Sequence, residues 1–283
     1  MEIRSLAVSD PETIFRAFEK AFADYEVQIN RQQFMAMIKR RGFDPGLSFA
    51  AFENGEIVSF TLNGKGMFKG ISTAYDTGTG TLPAHRGKGL ATKIFEHSIP
   101  FLKENKIEQY LLEVLQHNTK AVSVYRKLGF EVTREFHYFV QENSEINAEI
   151  KNIDPVYRVR QIDTEAAHSS DAFRDFYPSW QNSFESIQRV PDDFVTLGAF
   201  KGERLCGYCI LEPAGGDIAQ IAVERESRRK GIGSLLLHEA MQLNRSVIIK
   251  AINSDARCSS VTGFLKSKNI GVTGKQFEMI RKL

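Results

Sequence analysis

The spacing of apolar residues switches repeatedly between a strand period and a helix period along the first half of the chain. A strand at 2–8 precedes a helix opened by Asp10-Pro11-Glu12, an N-cap with proline in the first turn, which carries Phe15, Phe18 and Phe22 at helical spacing. Phe34, Met37 and Ile38 repeat that spacing in a second helix, ended by the glycines of 42–46. Runs at 47–53 and 56–63 read as strands, and Asn54-Gly55 between them is a strong hairpin signal. A third run, 71–82, leads into a glycine-rich turn and a helix over 90–105. A strand at 110–116, a helix at 118–128 stopped by Gly129 and a strand at 134–141 complete the series.

After a polar stretch without sustained apolar period, the order begins again. A strand at 157–162, helices at 163–173 and 178–188, and a hairpin of 195–201 with 204–211 lead to a strand at 217–223 and a second glycine-rich turn. The expected organisation is a domain at 1–145, a linker at 146–156 and a second domain at 157–283.

The two turns share one pattern, R-x-x-G-x-[G/A]. Arg86-Gly87-Lys88-Gly89-Leu90-Ala91 and Arg228-Arg229-Lys230-Gly231-Ile232-Gly233 lie 231 − 89 = 142 residues apart. Each ends a strand-like run and opens an amphipathic helix. Small residues therefore stand where a backbone must approach a ligand, and the free N–H groups of the helix start favour an anion such as pyrophosphate.

Composition narrows the field of partners. Lys plus Arg number 37 against 35 for Asp plus Glu, a formal net charge of +2, which gives no reason to expect nucleic acid or an anionic membrane surface as partner. No stretch approaches the 18 or so apolar residues of a membrane span, and the amino terminus lacks a signal-like apolar core, so the expectation is a cytoplasmic protein. Cys206 and Cys209 form a C-x-x-C within an apolar strand-like run. Residues three apart on a strand face opposite sides, which argues for core packing rather than a metal site or a disulfide.

Downstream of the first turn, Leu112-Glu113-Val114 is followed by Asn118-x-x-Ala121-x-x-x-Tyr125-x-Lys127-Leu128-Gly129-Phe130, and upstream of it stands Ala74-Tyr75-Asp76-Thr77-Gly78-Thr79-Gly80-Thr81-Leu82-Pro83. With the two R-x-x-G-x-[G/A] turns, this order resembles the GCN5-related N-acetyltransferase (GNAT) superfamily, the upstream stretch being similar to a form seen in some bacterial members. The resemblance implies an α/β fold with two tandem GNAT-like domains, each a mostly antiparallel twisted mixed sheet flanked by helices. It also implies acetyl-CoA as co-substrate and no metal.

Site roles follow from the same resemblance. The loop Arg86, Gly87, Lys88, Gly89, Leu90 and Ala91, with Thr92, takes the pyrophosphate, Arg86 and Lys88 adding charge. Thr81 and Leu82 pair with the pantetheine arm, a backbone N–H there polarising the thioester carbonyl, and Asn118 is counted with the cofactor site. Glu113 is the candidate base and Tyr125 the candidate acid that protonates the leaving thiolate. In the second half Val223, Arg228, Arg229, Lys230, Gly231, Ile232, Gly233 and Ser234 form the matching donor site.

There, placing Asn253 on Asn118 and Ala256 on Ala121 sets Ile248 opposite Glu113, and taking 264–269 for 125–130 sets Phe264 opposite Tyr125. The second domain then keeps a cradle without the reacting groups. The expected function is an N-acetyltransferase acting on a primary amine, a small molecule or a peptide amino terminus, by direct attack, with catalysis in the first domain. The alternatives are a non-catalytic acyl-CoA-binding or interaction protein, and catalysis in the second domain. Whether the chain is a monomer or a homodimer stays open. Acceptor recognition is expected around 22–38 and 63–70, where Phe22, Tyr25 and Phe34 either line a pocket or pack in the core.

Overall fold

The structure, a computed structural model, describes residues 1–25, 28–150 and 153–283. It forms two compact units, Met1–Thr133 with Phe277–Leu283, and Arg134–Gln276. The polar stretch 146–156 falls within the second, with Lys151 and Asn152 outside the described residues, as are Glu26 and Val27 of the first.

The first unit runs β1 (Glu2–Ser5), α1 (Pro11–Ala21), α2 (Arg31–Arg40), β2 (Phe49–Glu53), β3 (Glu56–Phe68), β4 (Ile71–Thr81), α3 (Leu90–Glu104), β5 (Gln109–Leu115), α4 (Thr119–Lys127) and the start of β6 (Glu131–Glu142). Local chemistry sets the boundaries. Asp10 caps α1 by accepting from the Thr13 N–H, and Asn30 and Gln33 close a reciprocal capping box on α2. Asn54 and Gly55 both take left-handed φ, 50° and 83°, which a two-residue hairpin between β2 and β3 requires.

The strands lie in the order β1-β2-β3-β4-β5 with residues 277–283 beside β5, and only the β4–β5 pair is parallel within β1–β5. One face packs Phe60 and Leu62 against Phe15 of α1 and Phe34 of α2. The other packs Tyr110, Leu112 and Phe130 against Phe95 of α3.

The second unit contains residues 134–142 of β6, then β7 (Tyr157–Gln161), α5 (Thr164–His168), α6 (Phe184–Gln188), β8 (Val195–Lys201), β9 (Arg204–Glu212), β10 (Asp217–Val223), α7 (Ile232–Leu243), β11 (Ile248–Asp255), α8 (Ser259–Ser267) and the start of β12 (Val272–Lys282). Its strand order is β7-β8-β9-β10-β11, with β6 antiparallel beside β11 and β10–β11 parallel. Cys206 and Cys209 are free and buried in β9, and burial pushes the Cys209 thiol up to about 12.

The helices expected at 163–173 and 178–188 are shorter than their patterns. Ser169 and Ser170 donate their hydroxyls back to the carbonyls of Glu165 and Ala166, competing with the helix backbone, and α5 ends at His168. Short 3₁₀ turns at Asp171–Phe173 and Trp180–Asn182 replace the remainder.

Phe34 is fully buried between α1 and the sheet. Phe34→Ala should remove roughly 3–5 kcal/mol from the first unit. Urea unfolding followed by near-ultraviolet circular dichroism should show a midpoint well below that of the parent; an unchanged midpoint would mean this face is not a packed core.

Candidate active site

The two parallel strands of the first unit share only a short ladder. β4 pairs with β5 through Thr73–Gln109, Ala74–Tyr110 and Tyr75–Leu111, and β4 then continues to Thr81 without that partner. A bulge marks the parting. On the β3 side Asn63 pairs with Asp76 and Leu62 with Gly78, so Thr77 has no opposite residue and the strand bends there. The carbonyl of Thr77 accepts from the Arg41 guanidinium at 2.9 Å.

The backbone beyond the bulge has one edge engaged and one edge open. Leu82 donates its N–H to the Val58 carbonyl, so that N–H is taken by β3. Strand alternation turns the Thr81 N–H to the opposite edge, which faces the parting. Of the two residues expected to meet the pantetheine arm, Thr81 holds the available backbone donor.

The parting leads to the glycine turn. Gly87 and Gly89 take left-handed φ of 76° and 71°, and Gly89 caps α3 without any side-chain cap. The first N–H groups of the helix, those of Leu90, Ala91 and Thr92, therefore have neither intrahelical nor side-chain acceptors, and the macrodipole favours an anion there. A Cβ added at Gly87 or Gly89 would meet nothing within 4 Å, and both glycines and Lys88 are exposed. The cradle fits a pyrophosphate.

Arg86 is placed otherwise than expected. Its Nε donates to the Thr81 carbonyl at 3.2 Å and its Nη2 to the Ala21 carbonyl and the Asp24 carboxylate, both at 2.8 Å. These bonds hold Asp24 below the usual carboxylate range. The guanidinium ties the end of β4 to the end of α1 instead of projecting over the turn. Asn118 is likewise a helix cap: its Oδ1 accepts from the Ala121 N–H at the start of α4.

Glu113 and Tyr125 lie on opposite faces of the sheet. Glu113 is partly buried on β5, and its Oε2 accepts from the buried Tyr75 hydroxyl at 3.1 Å. Burial, followed by the Glu113 charge, pushes the Tyr75 phenol well above its ordinary range. Tyr125, on α4, packs edge-on against Phe95 and Phe130 and donates its hydroxyl to Asp76 Oδ2 at 3.2 Å.

Asp76, the one charged residue of β4, joins the site although no motif singles it out. It sits beside the bulge, 9% exposed, and accepts from Thr79 Oγ1 at 3.1 Å and 3.0 Å on its two oxygens. Burial raises its carboxyl to about 6 against the lowering effect of Thr79, Tyr125, the Gly78 N–H and Arg41. Burial and the Asp76 charge in turn push the Tyr125 phenol well above its ordinary range. A lone carboxylate in an otherwise uncharged strand was the available signal.

Around the expected acceptor segments, Phe34 belongs to the core, whereas Tyr25 is 46% exposed and stacks edge-on against Phe22 at 4.9 Å.

The second unit repeats the scaffold of this site. Its bulge leaves Ala219 out between Ile218 and Gln220, and its β10–β11 ladder is limited to Asp217–Lys250. Arg228 repeats the clamp of Arg86, donating Nε to the Val223 carbonyl at 2.9 Å, Nη1 to Asp175 at 2.9 Å and Nη2 to the Phe173 carbonyl at 3.1 Å. Gly231 caps α7 in left-handed conformation, and a cavity of about 600 Å³ is lined by Arg229, Gly231, Gly233, Ser234, Ser260 and Phe264 among others. Lys230 donates to the Glu226 carbonyl.

Three-dimensional equivalence corrects the expected alignment of the two halves. Gly129 and Asn269 both end their helices with left-handed φ, and Phe130 and Ile270 donate back to Tyr125 and Leu265. Tyr125 thus corresponds to Leu265, not Phe264. Asn118 and Cys258 are the N-caps that follow Leu115 and Asp255, so Glu113 corresponds to Asn253, not Ile248. The shift arose because Asn253, matched to Asn118 by identity, belongs to β11 and not to a cap.

Asn182 bridges the parting of β10 and β11. Asn182 donates Nδ2 to the Ile252 carbonyl of β11 and accepts on its own carbonyl from Gln220 of β10, both at 2.7 Å. Only about 40 Å³ remains beside it, between residues that include Tyr208, Ile218, Asn253 and Leu265.

A bulged strand parted from its parallel neighbour, with an uncapped helix start at the end of the parting, defines an α/β architecture that is here built twice. The chain belongs to the acetyltransferase (GNAT) family, whose model matches residues 12–130 and 153–255. It is 29% identical over 119 residues to the N-alpha-acetyltransferase MAK3 of Arabidopsis thaliana, covering 42% of this chain and 62% of that one. It is 39% identical over 57 residues to an uncharacterized N-acetyltransferase, YobR, of Bacillus subtilis, covering 20% and 23%. The chain thus spans less than two thirds of the length of either relative. A tandem GNAT protein from the clavulanic acid biosynthesis pathway superposes with a TM-score of 0.75 over 99% of this chain and 98% of that one, at 12% identity, which establishes the tandem fold.

The buried carboxylate has a stability signature. Its native value of about 6 lies above the 3.8 of an unperturbed aspartate, so the native state binds the extra proton, and stability is lost as pH rises through that interval. The difference corresponds to about 3 kcal/mol. Asp76→Asn, neutral throughout, should lose less stability between pH 4 and pH 6 in parallel urea titrations; identical slopes would mean that Asp76 titrates normally.

Proposed function

We propose that the first unit transfers an acetyl group from acetyl-CoA to a primary amine by direct attack, and that the second unit binds acyl-CoA without reacting. The observation that carries this reading is the pairing of an open cradle with Glu113 and Tyr125 on the two faces of one parted sheet. The second unit has Asn253 and Leu265 at those positions.

Bound acetyl-CoA supplies the activated acyl group. The N–H groups of Leu90, Ala91 and Thr92 hold its pyrophosphate, and the Thr81 N–H meets the carbonyl oxygen as negative charge develops there. Glu113 accepts the proton that the amine must lose, on the face covered by α1 and α2. Tyr125, on the face covered by α3 and α4, is kept protonated by its raised pKa and donates to the departing thiolate. Direct attack needs no acyl-enzyme.

The acceptor is a small-molecule amine or a peptide amino terminus, the latter suggested by the N-alpha-acetyltransferase relatives. The cavity at the second cradle, together with the space lost at its acyl end, favours a retained acyl-CoA site over a second reaction centre.

Thiol release from acetyl-CoA, measured across polyamines, aminoglycosides, amino sugars and short peptides, identifies the acceptor. With it, Tyr125→Phe should lower kcat by roughly 100-fold and leave acetyl-CoA affinity nearly intact; an unchanged kcat removes Tyr125 from the mechanism. Calorimetry with acetyl-CoA should lose one binding event in Gly89→Trp and another in Gly231→Trp. Undiminished binding in both variants would overturn the placement of both cradles.

A further inference from the structure

We infer that Asp76 is a positioning residue for acyl transfer, one that acts through Tyr125 by fixing the phenolic oxygen beside the parting of β4 and β5. The inference rests on the proposed role of Tyr125 as acid.

The geometry gives Tyr125 a fixed direction. Its hydroxyl donates to Asp76 Oδ2, and Asp76 is itself immobilised by Thr79, whose hydroxyl lies within hydrogen-bond distance of both carboxylate oxygens. Thr79 Oγ1 also lies 3.2 Å from Thr61 Oγ1 on β3, which anchors the group to the sheet. The bulge at Thr77 brings this about, because it sets Asp76 at the point where β4 leaves β5.

The duplicated unit provides an internal comparison. By the register of the bulge Asp76 corresponds to Ile218, and by the helix ends Tyr125 corresponds to Leu265. Ile218 and Leu265 line one small cavity, so the two positions stay together in space while both have become apolar. The arginine clamp and the glycine cradle survive in that unit. The clamp and the turn thus persist without the Asp–Tyr couple, which separates the couple from that scaffold.

The charges around Asp76 explain why a carboxylate serves here. Arg41 reaches the neighbouring Thr77 carbonyl from the end of α2, while the phenols of Tyr75, Tyr110 and Tyr125 approach from β4, β5 and α4. Above pH 6 the ionised Asp76 is a strong acceptor that holds the Tyr125 hydroxyl in place. When it donates, the Tyr125 hydroxyl gives up its hydrogen bond to Asp76 Oδ2, its O–H bond breaks as the S–H bond of CoA forms, and the phenolate regains a proton from solvent.

A double-mutant cycle on kcat tests the coupling, read as thiol release from acetyl-CoA with water alone and with the best amine of the panel. Asp76→Asn should lower kcat at least tenfold, change the KM for acetyl-CoA by less than about twofold, and abolish an acidic limb near pH 6 in the kcat profile. Added to Tyr125→Phe, it should lower kcat no further. An additive loss, a loss confined to KM, or an acidic limb that survives would overturn the role of Asp76. A Tyr125→Phe variant with parental kcat would instead refute the reading of Tyr125 as acid. If Asp76→Asn does not fold by circular dichroism, the same cycle runs with Asp76→Glu, which keeps the charge and displaces it by one methylene. It should then lower kcat only where Tyr125 is present, and an equal loss in both backgrounds overturns the proposal.

Discussion

A strand that loses its partner halfway along its length governs this protein. β4 is held on one side by β3 throughout, but on the other side its parallel ladder with β5 stops at Tyr75, and the extra residue Thr77 bends it away. Open backbone donors in a sheet interior are costly unless something pairs with them. The fold therefore leaves a slot beside the free edge of β4, and it sets an uncapped helix start at the end of that slot.

Holding such a parting open requires a mechanical device, and the arginine of each glycine turn supplies it. Arg86 and Arg228 make the same bonds: Nε to the carbonyl of the last residue of the bulged strand, and the other guanidinium nitrogens to an aspartate and a carbonyl from the segment between the unit's first two sheet strands, β1 and β2 or β7 and β8. An arginine suits this because its planar fork satisfies several acceptors in fixed directions. What the turn itself offers an anion is the backbone N–H groups and the dipole of the helix start. Conversely, the proposed acid and base and the residue proposed to position the acid are not part of this scaffold, and they differ between the units: Tyr125, Glu113 and Asp76 in the first, Leu265, Asn253 and Ile218 in the second. Asn182 further bridges the second parting.

Features that are local in the chain were legible before the structure. Asp10-Pro11 opens α1, Asn54-Gly55 turns the β2–β3 hairpin, and both glycine turns open helices, because each depends on a few adjacent residues. The tandem order of elements was equally readable from periodicity and motif. The tertiary use of those residues was not. Arg86 is committed to partners 62 and 65 residues away, and Asp76 to a tyrosine 49 residues away. Asn118, chosen as a ligand contact, is required by its own helix as a cap. The alignment of the halves slipped at Asn253 because identity of residue type hid a difference in place, strand against cap. Short helices such as α5 were overestimated where serine side chains compete with the backbone.

The central claim is that two cradles serve one reaction centre, and a crystal structure of the protein with a non-hydrolysable acetyl-CoA analogue tests it most directly. The account predicts a pantetheine arm lying between β4 and β5, its acyl oxygen at the Thr81 N–H and its sulfur at the Tyr125 hydroxyl. Any second molecule should be held at the Gly231 turn with its acyl end short of Asn182. An acyl group seated between β10 and β11, or a first-unit sulfur remote from Tyr125, would contradict it.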